Sequence, residues 1–185
     1  MRGLRREKGA SLVEVAVVMP ILLALAIGLA EIGFLVIDYI TVTNAARSGA
    51  RTGAALNTDP ATDDAILNVV EEDLCNLEFG DAVVVRIFLA NADGSMSGSQ
   101  NNYSAAGSLS CNNNSHAFSC DALEGGCNWP PASRNNEPPN SFDRLGVRIE
   151  FTHNYVTDFL PLPTTDFLET AIMQLEPDTS VGIGT

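Results

Sequence analysis

The chain has 185 residues, 45% of them hydrophobic and 6% aromatic, with ten basic against 23 acidic side chains and a formal net charge of −13. That length allows one modest domain, and the ordinary apolar fraction, with no excess or period of Gly, Pro or Cys, excludes collagen-like, disulfide-dense and wholly disordered classes. Four basic residues, Arg2, Arg5, Arg6 and Lys8, fall among the first eight, and without residues 1–9 the balance moves from −13 to −16. A body so acidic repels nucleic acid and anionic membrane surfaces.

After the basic cluster comes GASLVEVAVVMPILLALAIGLAEIGFLVIDYI, in which Glu14 and Glu31 are the only charges between Lys8 and Asp38. As a helix, residues 10–37 span roughly 40 Å, more than the ~30 Å hydrocarbon core of a bilayer, so a membrane-crossing helix is expected there. Beyond Asp38 only Arg47 and Arg51 are basic before Arg86, so the positive-inside bias puts the N-terminus in the cytoplasm and the body outside. A secretory signal would have a short apolar core and a small-residue cleavage site; this run is too long and continues into the helix-compatible TVTNAARSGARTGAAL. A plain anchor explains neither Gly9 nor Glu14. A carboxylate such as Glu14 costs roughly 2–3 kcal/mol deep in lipid and asks for a partner or a function. Glu31 and Asp38 read as solvated charges at the outer interface. Pro20 predicts a kink, either a flexible point that helps the helix leave the membrane or a proline that membrane helices tolerate.

The order basic residues, Gly9, four residues, Glu14, apolar helix is the pattern of a type IV prepilin leader. Together with GASLVEVAVVMP at 9–20, AEIGF at 30–34, VTNAARSGAR at 42–51 and AIMQLEP at 171–177, it resembles the TadE-like pseudopilins, or minor pilins, of the tight-adherence (Flp, type IVc) pilus system. Val15 follows the glutamate where this pilin class commonly has an aromatic residue. The resemblance implies cleavage by prepilin peptidase between Gly9 and Ala10, with Glu14 becoming the fifth mature residue. It also implies partnership with other pilins and pseudopilins, an inner-membrane assembly platform and membrane lipid. Physically, the new ammonium at Ala10 and the Glu14 carboxylate would compensate one another, within a subunit or between neighbours, and favour one axial register.

The helix is expected to extend over 38–57. Arg47 and Arg51, four apart, share a face, and Ala46, Ala50 and Gly53 form a small-residue stripe that lets another backbone approach. With Asn44 and Gly49 these residues are candidates for helix packing, against other subunits or against the chain's own domain. The extracytoplasmic domain then occupies 58–185. Asp59 as N-cap and Pro60 at the first turn predict a second helix to about Leu77, on which Ile66, Val69, Val70 and Leu74 recur and Glu71, Glu72 and Asp73 read as a solvated face. AVVVRIFLA (82–90) and RLGVRIEFTHNYV (144–156) predict two strands able to pair antiparallel, with His153 facing solvent. Pro161 and Pro163 then interrupt, a short helix is expected over 165–175, and a loose tail ends the chain. The fold class is therefore α+β.

The segment 91–143 is too long for an idle loop and is rich in Gly, Ser, Asn and Pro. It holds Cys111, Cys120 and Cys127, while Cys75 lies in the second helix. Outside the cytoplasm four cysteines point to two disulfides, with three pairings open, and if both form, one ties Cys75 to this segment. A zinc site on Cys111, His116, Cys120 and Cys127 is the weaker reading, because the spacing is wrong and an oxidising compartment disfavours thiolates. Tyr103, Phe118 and Trp129 read as a contact surface or as disulfide-tied packing. NADGSMS resembles a calcium loop but has Asn102 where a closing glutamate belongs, so it reads as a hairpin turn. No nucleophile, phosphate-loop or zinc-protease motif occurs; an assembly subunit without cofactor or metal is expected rather than an enzyme. The alternative is an uncleaved bitopic protein whose acidic domain binds a ligand outside the cell.

Overall fold

The structure, a computed structural model, describes residues 4–75, 77, 80–105, 109, 111, 116–136, 142–156 and 164–177. Arg2, Pro161, Pro163 and the tail beyond Pro177 lie outside the described residues. A 53-residue helix, α1 (Leu4–Leu56), is continuous through Pro20. From residue 42 onward its small and apolar residues Val42, Ala45, Ala46, Gly49, Ala50, Gly53 and Ala54 recur every three or four positions and are buried, the stripe a helix needs to face a core. Asn57 ends the helix at φ +64°, a left-handed conformation that asparagine tolerates, and its N–H donates to the Gly53 carbonyl at 2.9 Å. The Glu176 N–H donates to the Ala54 carbonyl at 3.1 Å, so a distant part of the chain also caps α1.

The second helix, α2 (Thr62–Leu74), starts two residues later than the cap pattern suggests. Asp59 does receive the Ala61 N–H on Oδ1, at 2.8 Å, but its carbonyl also takes the Thr62 N–H, closing a turn ahead of the helix. Ile66, Leu67, Val70 and Leu74 are fully buried. Each such side chain contributes about 1.5–3 kcal/mol by leaving water.

The helices cover one face of a five-stranded antiparallel sheet, ordered β3-β2-β1-β4-β5. Its centre is β1 (Gly80–Ala90) against β4 (Arg144–His153), with Val85 opposite Ile149 and Ile87 opposite Val147. Period-two alternation sends Leu145, Val147, Ile149 and Phe151 into the core. On the other face Arg86 donates to Glu150 and Glu124, each at 2.9 Å; the Glu150 hydrogen bond outweighs burial and, with Glu124, raises the Arg86 pKa.

The second half of the chain differs from expectation in its strands. Residues 165–174 form β5 (Thr165–Gln174), not a helix. Phe167, Leu168, Ala171 and Ile172 recur at helical spacing, but pairing along the whole of β4 makes the segment a strand. Within 91–143 lie two further strands, β2 (Met96–Ala105) and β3 (Phe118–Cys120), which lack apolar alternation because hydrogen bonds, not apolar packing, bury Asn101 and Asn102. Of the two readings of the aromatics, packing holds for Phe118 and Trp129, which are 4% exposed and belong to the core.

Two disulfides join Cys75 to Cys111 and Cys120 to Cys127, 36 and seven residues apart, so all four sulfurs are engaged. At the β1–β2 hairpin Asp93 Oδ1 accepts the Ser95 N–H at 2.9 Å and the Ser95 hydroxyl at 2.6 Å, and Gly94 supplies φ +84°. The carboxylate that suggested a calcium loop is thus satisfied inside its own turn.

Candidate functional site

The chemistry that stands out is the way one helix passes through two environments. Along its first part α1 presents apolar side chains on every side, from Leu12, 72% exposed, to Leu29, 71% exposed. A window of 18 residues with mean hydropathy 2.6 has no buried residue, and the helix is long and apolar enough to cross a membrane. Gly9 and Ala10 lie near its start. Glu14 lies in a shallow apolar groove with Val15, Val18, Met19 and Leu22. A Cβ added at Gly28 or Gly33 meets nothing within 4 Å.

The domain first grips the helix at Glu31. Glu31 and Asp38, expected to be solvated, are 4% and 1% exposed. Glu31 Oε2 accepts the Val156 N–H at 3.2 Å, and Asp38 Oδ2 accepts the Nδ1–H of His153 at 2.7 Å. His153 is itself fully buried, against the expectation of solvent exposure. The reason is that β4 ends over α1, where Tyr155 sets its ring edge-on to the imidazole with centroids 5.1 Å apart and Tyr39 packs edge-on against Phe167 at 6.0 Å. A sequence signal for this clasp exists: Glu31, Asp38, Val42, Ala45 and Gly49 lie on one helix face.

Above the clasp the helix has two different sides. Gly49 and Gly53 face the domain, and an added Cβ would lie 2.7 Å from Val70 Cγ2 and 2.8 Å from Ile66 Cδ1 respectively. The small-residue stripe is therefore filled by the chain's own α2 and sheet. Asn44, Arg47 and Arg51 are exposed on the opposite side, so the residues singled out for helix packing are divided between an occupied and an open face. Glu14 lies about 45 Å further down the helix than Asn44.

A buried polar cluster that sequence reasoning missed holds α2 in place. Asp63 is bound by the Arg134 guanidinium, by Asn101 Nδ2 at 2.6 Å and by the Tyr103 hydroxyl at 2.9 Å. Asn101 also exchanges hydrogen bonds with the Trp129 backbone at 2.7 and 2.8 Å, and Arg134 stacks 4.6 Å over the indole. Burial, reinforced by Asp63, holds the Tyr103 phenol well above its usual range. Glu71, read as part of a solvated face, is 3% exposed and accepts the Ala117 N–H at 2.7 Å. These partners come from remote, polar segments with no periodic pattern to announce them. Among the described residues no group of three or more His, Cys, Asp and Glu side chains is gathered to hold a metal.

A family model described as TadE-like protein matches residues 9–51, the stretch of α1 that contains the Gly9 to Glu14 motif, the exposed apolar run and the two-sided segment. No curated protein and no solved structure matches the chain significantly.

Proposed function

Taking residues 9–51 as TadE-like, we propose that the chain is a pilin-like subunit, a pseudopilin or minor pilin, of a tight-adherence (type IVc) pilus. The observation that carries this reading is the stretch of α1 from Leu12 to Leu29, which presents apolar side chains on every side, has no buried residue and contains one carboxylate, Glu14. Such a surface has to be covered by lipid or by other helices. A helix that exchanges one cover for the other is what an assembling pilin requires.

In this proposal the N-terminus is cytoplasmic and the domain lies outside the inner membrane. Prepilin peptidase cuts after Gly9, and the freed ammonium of Ala10 pairs with Glu14, in the same subunit or a neighbour, to select the axial register. Because Glu31 is already buried by the domain, the lipid-spanning part is 10–30, about 31 Å of helix, which matches the hydrocarbon core. Pro20 lies at the middle of that span and supplies the point at which the helix bends on leaving the membrane. The partners are other pilins and the inner-membrane assembly platform.

The test is the intact mass and N-terminal sequence of membrane-extracted protein from cells with and without the peptidase. A chain beginning at Ala10 only when the peptidase is present is expected. A chain that keeps Gly9 in both would contradict the pilin reading and favour an uncleaved bitopic binding domain.

A further inference from the structure

The domain covers one side of α1 above Glu31, and the other side is open. Val36, Ile40, Asn44, Arg47 and Arg51, spaced four, four, three and four apart, line that open side, with Val36 and Ile40 46% and 52% exposed. The charges on it are unusual for this molecule. The other arginines of the described domain are engaged: Arg86 with Glu124 and Glu150, Arg134 with Asp63, Arg144 with the Ala92 carbonyl and Arg148 with the Thr170 hydroxyl. Arg47 and Arg51 make no hydrogen bond or ion pair among the described residues, in a chain whose net charge is −13.

The complementary surface is on α2. Its outward side carries Asp64, whose side chain is 73% exposed and lies 3.3 Å from His116 Nε2, and the exposed Glu72, two turns further along. Gly49 lies against Val70 and Gly53 against Ile66, so α2 runs antiparallel to α1, and Arg47 and Arg51 stand at the same height as residues 68–72. Height matters because copies anchored by the same span sit at the same depth in the bilayer. Arg47 of one copy and Glu72 of the next can therefore meet without an axial shift, and Asp64 stands one helical turn, about 6 Å, beyond Arg51, within reach of that long side chain.

We propose that the open face of α1, from Val36 to Arg51, docks on α2 of a second copy of this chain, with Arg47 and Arg51 against Asp64 and Glu72. The contact is heterologous, since the two faces differ, and each copy offers both, so it can be repeated from one subunit to the next. Val36 and Ile40 supply apolar area, and the charges set orientation and exclude a like-charged neighbour. This inference rests on the reading of the chain as a membrane-inserted assembly subunit and names the partner of its helix.

The experiment uses the full chain in its own membranes, with a photoreactive residue in place of Asn44 and a mixture of isotopically light and heavy copies. Cross-links from position 44 of one copy to the α2 peptide of the other label are expected. Arg47→Glu with Arg51→Glu should lower their yield about tenfold or more, Arg47→Gln with Arg51→Gln should lower it less, and co-expressed copies carrying Asp64→Arg and Glu72→Arg should restore it. Cross-links only to lipid, to a different protein or to another segment, or a yield indifferent to these charges, would overturn the proposal. N-terminal sequencing of the same material separates it from the function proposed above. An uncut chain that still cross-links through α2 removes the pilin reading and keeps the contact, whereas a cut chain with no such cross-link does the reverse.

Discussion

The lower and upper halves of α1 are one unbroken helix, yet they obey different rules. Between Leu12 and Leu29 apolar side chains point to every side and none is buried, with Glu14 the one charge; between Val42 and Ala54 every third or fourth residue is small and buried while the residues between them are polar or charged. An amphipathic helix is stable beside its own core in water, whereas a helix apolar all round is stable only where its surroundings are apolar. The change occurs at Glu31, the first residue on which the domain closes. The helix is thus built to be held at one end and exchanged between covers at the other, and mutations in the two halves should differ accordingly.

The largest effect is expected where the halves join. Asp38 and His153 are a buried pair, 1% and 0% exposed, with Nδ1 and Oδ2 2.7 Å apart. Removing one member leaves the other without compensation, at a cost of about 3–5 kcal/mol. His153→Leu should therefore lower the unfolding free energy of the extracted full-length chain by that amount, read from its denaturant midpoint and slope, and free the domain from residues 31–38, seen as new proteolysis near Val156. The same loss from Glu14→Leu would mean that the two halves are not independent. Glu14→Leu is expected to leave domain stability unchanged and to impair assembly.

A smaller but more selective contrast comes from the glycines. Gly53→Ala places a methyl group 2.8 Å from Ile66 and 2.9 Å from Leu145, so it should destabilise the domain; overpacking of this kind costs about 1–3 kcal/mol. Gly28→Ala meets nothing within 4 Å and, by helix propensity, should be neutral or favourable by up to about 1 kcal/mol. Equilibrium unfolding of the two variants under one detergent condition checks the difference. Equal destabilisation would show that the lower half is packed against the domain after all.

Legibility in the sequence followed the same division. The apolar run, the small-residue stripe, the second helix and the two central strands each announce themselves by period, and residues 9–20 and 42–51 carry the family resemblance. What stayed hidden depends on remote partners. Glu31, Asp38 and His153 look like interface charges until β4 is seen to end over α1, and Asp63 looks like a helix-start acid until Arg134, Asn101 and Tyr103 converge on it. β5 reads as a helix because its apolar residues recur at helical spacing, and only pairing with the edge of β4 makes it a strand. Polar β2 has no hydrophobic signature at all, since its central asparagines are buried by hydrogen bonds.

The mildest expected effect concerns the polar cluster that steadies the upper half and has no counterpart below. Burial and Asp63 raise the Tyr103 pKa in the folded chain, so the fold prefers the neutral phenol that donates to Asp63 at 2.9 Å. In the unfolded chain tyrosine ionises near its ordinary value of about 10. A group whose pKa is raised by folding contributes stability that is complete below the unfolded pKa and is lost as the pH climbs through the folded one. The domain should therefore keep full stability at pH 8 and lose it progressively above about 10, with absorbance of the Tyr103 phenolate appearing only as the domain opens. Tyr103→Phe cannot ionise, so it should start less stable, having lost the hydrogen bond, but show a shallower alkaline decline. An equal decline in that variant would assign the alkaline transition to another group, and helicity of the lower half should be unaffected in either protein, because none of its contacts passes through Asp63.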